Sequence, residues 1–202
     1  MTTLLIPWAG LLISMAGGVM IHTLEKTAFH LVGLFLTYLG GSILLLTACS
    51  FQTCLALFIC GIGTAVLLWT GTSGNQAAYQ EGKTDREKIV FRVILTVMLG
   101  MVSYSLTERL RFWIPVRRTV LFAAVWIVLM SLIDLALDDE LHNRCVYLQC
   151  ICLAFTVVYI YMESSILVFA CFAAINLMMA FASAVLCSGR ITDSETEDEK
   201  VL

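Results

Sequence analysis

The stretch Ala28–Thr70, AFHLVGLFLTYLGGSILLLTACSFQTCLALFICGIGTAVLLWT, runs for 43 residues without an Asp, Glu, Lys or Arg. As a single α-helix rising about 1.5 Å per residue it would be about 65 Å long, twice the roughly 30 Å of a bilayer's hydrocarbon core. It must therefore double back once, and residues 47–53 supply the hinge, where small and hydroxyl side chains interrupt the Leu-rich run. Cys145–Cys187 is equally long and carries one charge, Glu163, near its middle, so the same ruler predicts a second hairpin turning at residues 161–165.

Working outward, three more apolar windows bring the expected spans to seven: Thr3–Leu24, Ala28–Ala48, Phe51–Thr70, Ile89–Thr107, Thr119–Leu137, Cys145–Met162 and Ser164–Cys187. With 60% hydrophobic and 13% charged residues, the chain falls far from the roughly 25% charged content of a soluble domain. The apolar residues come in continuous blocks and do not alternate, which excludes an antiparallel barrel. The expected fold is an all-α, polytopic membrane helix bundle of about seven spans. Residues 1–187 form one transmembrane unit, and 188–202 form an acidic tail too polar to pack, expected to be disordered. The first span has no basic residues before it and is too long for a signal-peptide core, so it reads as a retained anchor. A net charge of -3 offers no phosphate-neutralising surface, which argues against nucleic acid as a partner.

Lys and Arg in short loops favour the cytoplasmic face. Lys26, Lys83, Arg86, Lys88, Arg92, Arg144, Arg190 and Lys200 gather on one side, and Arg109, Arg111, Arg117 and Arg118 on the other. The imbalance predicts an N-terminus outside and a C-terminus in the cytoplasm. The four opposing arginines share residues 108–118 with Phe112 and Trp113. They read as snorkelling anchors or as contacts to lipid headgroups.

Loop lengths group the spans as three, one and three, since polar residues 71–88 and the arginine cluster set the fourth apart. Two triplets joined by one helix keep the same orientation, which permits a relation by an axis along the membrane normal. In topology alone this layout resembles the small seven-helix sugar transporters. The two prolines, Pro7 and Pro115, are not followed by Gln as in that family's motif, and no site residues carry over.

The polar residues within or near the spans are few. Arg92, Asp134 and Glu163 lie near predicted span ends and read as interface residues. Asp134, with Asp138 one turn along the same helical face, alternatively reads as a cation or proton site. His22 and His30 flank the first turn, and with His142 and Asp139 they offer a metal-ligand set; plain interface placement is the alternative. The eight cysteines lack a Cys-x-x-Cys pattern and read as small apolar packing residues, with Cys49 and Cys54 as the disulfide candidates. Stripes of small residues recur at helical spacing: Ala56, Cys60 and Thr64; Gly61 and Ala65; Ala170 and Ala174; Ala180 and Ala184; and the glycines of the first hairpin. Such stripes let helix backbones approach closely. Gly40-Gly41 alternatively breaks the second span around a ligand.

No phosphate loop, nucleophile elbow or catalytic carboxylate pair is found, so neither an enzyme nor a cofactor is expected. The expectation is a non-catalytic integral membrane subunit, scaffold or regulator acting through helix packing, with lipid and other membrane helices as partners. The alternative is a small-solute transporter or channel whose pathway uses Asp134, Asp138, Gln149 and Asn176.

Overall fold

The computed structural model describes residues 2–24, 27–72, 86–138, 140–163 and 165–198. Its elements are seven helices: α1 (Thr2–Thr23), α2 (Thr27–Leu45), α3 (Phe51–Thr72), α4 (Arg86–Leu110), α5 (Arg118–Leu137), α6 (Leu141–Met162) and α7 (Ile166–Asp198). Each is long and apolar enough to cross a membrane, and no strand occurs among the described residues.

Both long apolar runs fold back where small and polar residues fall. The first turns at residues 46–50, and Ser50 caps α3, its Oγ accepting the Thr53 N–H at 3.3 Å. The second folds back between Met162, which ends α6, and Ile166, which begins α7. α6 begins earlier than the hydropathy suggests, at Leu141, which puts His142, Asn143 and Arg144 on its first turn. α7 runs on through residues 188–198, so the expected tail boundary does not coincide with a helix end.

α1, α2 and α3 pack in that order as one row, and α5, α6 and α7 as a second. The rows lie face to face with α1 on α5, α2 on α6 and α3 on α7, while α4 sits outside, against α5 and more lightly α1. This is the three-one-three grouping, but stacked in register. An axis along the membrane normal would place corresponding helices on opposite sides of itself. At helix separations of about 8–10 Å, all six cannot crowd round one line.

The rows are closed by small residues. Gly10 and Gly17 on α1 face Gly40 and Gly33 on α2, the two glycines on each helix standing seven positions apart. A Cβ added at Gly17 would lie 2.6 Å from the Gly33 carbonyl oxygen, and one at Gly40 would lie 2.5 Å from the Ser14 backbone nitrogen. The two backbones are therefore in direct contact. α2 continues unbroken through Gly40-Gly41, which corrects the broken-helix alternative. Farther along, Gly61 receives the Tyr38 ring and Gly71 meets Ala184 of α7. Large apolar side chains not needed inside point outward, as a lipid solvent permits. They dominate α4 and α7, of which 17% is buried, against 61% of α2.

Candidate functional site

Two buried polar centres lie within this frame. The first sits between α2, α6 and α7 and consists of Tyr38, Gln149, Thr156 and Asn176, each at most 1% exposed. The Tyr38 hydroxyl donates to Asn176 Oδ1 at 2.9 Å, and Gln149 Nε2 donates to the Tyr38 hydroxyl at 2.9 Å and to Asn176 Oδ1 at 3.1 Å. Asn176 Nδ2 donates to Thr156 Oγ1 and to the Phe172 carbonyl, both at 2.8 Å. In an apolar medium each unmet polar group is costly, and this set meets its needs internally. Its members tie the two rows together across α2–α6 and extend the tie to α7.

The second centre lies at the end of the bundle where α1 and α5 finish and α2, α4 and α6 begin. His22, 1% exposed on the last turn of α1, donates from Nδ1 to Asp134 Oδ1 on α5 at 2.5 Å. Arg92 of α4 donates to the His22 carbonyl at 3.1 Å, so three helices converge there. His30, one turn into α2, has Nδ1 2.8 Å from Asn143 Oδ1 and Nε2 2.5 Å from the Leu24 carbonyl oxygen. The Asn143 orientation is fixed because its Nδ2 donates to the carboxylates of Asp138 at 2.8 Å and Glu140 at 3.0 Å. Both His30 nitrogens thus face oxygen atoms, one of a side-chain amide and one of the backbone. Tyr147 donates to Asp138 Oδ2 at 3.0 Å, and Arg144 Nε donates to the Asp138 carbonyl at 2.7 Å, completing the cluster.

Burial corrects the interface reading of Asp134. Its carboxylate is 8% exposed and held by an imidazole, because an unpaired carboxylate at this depth would be too costly. Of the residues expected along one pathway, Gln149 and Asn176 meet in the first centre, while Asp134 and Asp138 belong to the second. Sequence reasoning did not assign Tyr38, Asn143 or Tyr147. The available signal was that hydroxyl and amide groups inside apolar spans must find partners there.

Among the described residues, no group of three or more His, Cys, Asp or Glu is placed to hold a metal ion, and Asp139 lies outside the described residues. Cys49 and Cys54, the disulfide candidates, are free thiols in this structure. Burial pushes the Cys49 thiol up, away from the reactive thiolate. Arg109, Arg111, Arg117 and Arg118 are all exposed at the opposite end, with Arg118 paired to Glu108 at 2.7 Å and stacked over Tyr104 at 4.8 Å. Phe112 and Trp113 stand out beside them at 86% and 80% exposure, the composition of a membrane–water boundary.

A cavity of about 10 Å³, the room of one water molecule, lies between α1, α2, α5 and α6 and is bounded by Ser14, Thr37, Ala123, Ile127 and Leu153. No family model matches the chain, and neither a curated protein nor a solved structure matches it.

Proposed function

We propose that the chain is a non-catalytic subunit, scaffold or regulator of a membrane assembly, lying with its N-terminus outside and its C-terminus in the cytoplasm, and that it acts through helix packing. The supporting observation is the position of α4. Gly10, Gly17, Gly33 and Gly40 are used to close one row, and Gly71 and Ala184 to join the two. α4 belongs to neither row. It leans on α5 and α1 with one side and presents Val90, Ile94, Val97, Met98 and Met101 outward. A helix set aside in this way is a natural contact for a partner helix, and large side chains then interdigitate with it as they do in any helix pair.

The test is a photo-crosslinking amino acid at Val97 or Met101 in the native membrane, with Val185 on the outer face of α7 as the reference position. A discrete protein adduct from α4 and none from Val185 supports the proposal; lipid adducts from both positions would count against it. A second reading, passage of a small solute between the rows, draws on the polar centre at Tyr38, Gln149 and Asn176. It predicts solute flux into proteoliposomes, which the subunit reading does not.

A further inference from the structure

At the bundle end opposite the His22–Asp134 pair, α4 gives way to α5, and residues 111–117 join the two just beyond both apolar spans. The joining segment is held in shape by its own hydrogen bonds. The Trp113 and Ile114 N–H groups both donate to the Leu110 carbonyl at 2.9 Å, and the Val116 N–H donates to the Ile114 carbonyl at 2.8 Å. Its apolar side chains are sorted accordingly. Leu110, Ile114 and Val116 pack on the core, whereas Phe112 and Trp113 meet edge to face with ring centroids 5.7 Å apart and almost all of their surface outside. The two largest apolar side chains of the segment are therefore displayed to the surroundings, at the level where aromatic rings sit between headgroups and acyl chains.

The charges are sorted as well. Arg118 is committed within the protein, its Nε donating to Glu108 Oε1 at 2.7 Å and its guanidinium lying 4.8 Å above the Tyr104 ring centre. Arg109, Arg111 and Arg117 are exposed and have no acidic partner among the described residues. Glu108, already paired, is the only Asp or Glu from Lys88 to Ile133. A guanidinium forks onto phosphate oxygens through two N–H bonds, and phosphate is the anion that a bilayer presents at this depth. A zwitterionic headgroup would bring a further cation to three unmatched ones, whereas an acidic phospholipid brings net negative charge together with an acyl region in which the rings can seat. An acidic soluble peptide would match the arginines and leave the rings without a partner. We infer that residues 109–117 form a binding site for acidic phospholipids, with Arg109, Arg111 and Arg117 on the phosphate and Phe112 and Trp113 inserted at the base of the headgroup. The site is independent of the packing role of α4 proposed above.

The experiment places the photo-crosslinking residue benzoylphenylalanine at Phe112 of the full-length chain, in phosphatidylcholine liposomes containing a minority of phosphatidylglycerol, and identifies the adducts by mass spectrometry. Ile166 is the reference position, 86% exposed at the same bundle end on α7, which packs on α3 and α6. The expected result is that phosphatidylglycerol adducts at Phe112 exceed that lipid's share of the bilayer by about threefold or more, and match its share at Ile166. The excess should fall in about 1 M salt, where the screening length is about 3 Å. Arg109→Gln, Arg111→Gln and Arg117→Gln together should remove the excess and leave the total yield of lipid adducts unchanged. Adducts at Phe112 in proportion to the bilayer, an equal excess at Ile166, an excess that survives the three substitutions, or one that inorganic phosphate abolishes at matched ionic strength would each overturn the inference. The comparison of Phe112 with Ile166 keeps all four arginines, so it decides the matter even if the triple variant fails to fold.

Discussion

Replacing Gly40 by alanine inserts one methyl group into the α1–α2 seam, and the structure gives the consequence. The new Cβ would stand 2.5 Å from the Ser14 nitrogen and 2.7 Å from the Gly10 carbonyl oxygen. Both are backbone atoms, so no rotamer change relieves the overlap. Reaching an ordinary 3.4 Å contact requires the helices to part by about 0.9 Å, which forfeits a quarter to a half of the dispersion energy along the seam. Overpacking of this kind costs about 2–3 kcal/mol, and the better helix propensity of alanine returns about 1 kcal/mol. The net loss is about 1–2 kcal/mol, or a Tm lower by about 2–8 °C for a chain of this size. Gly63→Ala is the matched control. Its Cβ would meet only Leu177 Cδ2 at 3.6 Å, an ordinary contact. Only the propensity gain operates there, so stability should rise by up to about 1 kcal/mol. Thermal and SDS-titrated unfolding of both variants in mild detergent is the assay. Equal shifts for the two, or a stabilised Gly40→Ala, would refute the close-contact reasoning.

Other consequences are as specific. Asp134→Ala leaves His22 buried without its partner and should cost about 3–5 kcal/mol; His22→Leu with Asp134→Leu should cost clearly less than the sum of the single losses, as a double-mutant cycle in detergent would show. Asn176→Leu strips partners from Tyr38, Gln149 and Thr156 and should destabilise by about 2 kcal/mol, with Thr156→Val measurably milder; SDS-titrated unfolding reads both.

The span count and both hairpins were legible because length and charge-free runs act on the whole segment, and a 43-residue apolar block admits few solutions. The Gly10, Gly17, Gly33 and Gly40 spacing was visible too, although its use was not. Small residues mark a close approach without naming the helix that approaches. The stacking of α1 on α5 could not be read, because pairings between rows depend on contacts distant in sequence. Asp134 shows the same limit. Its position near the end of α5 suggested solvent, while the residue that permits its burial, His22, lies 112 positions away. Gln149 and Asn176 were singled out as polar residues inside apolar spans, and the structure adds that Tyr38 and Thr156 complete their set.

The most direct measurement is the location of the two chain ends. With a protease-removable tag at each terminus of the protein in sealed membrane vesicles, a helix bundle crossing seven times exposes the two tags on opposite faces. One tag cleaved from outside and the other only after permeabilisation is the expected result. Both tags cleaved together from the same side would contradict the seven-span fold on which the packing and both polar centres depend.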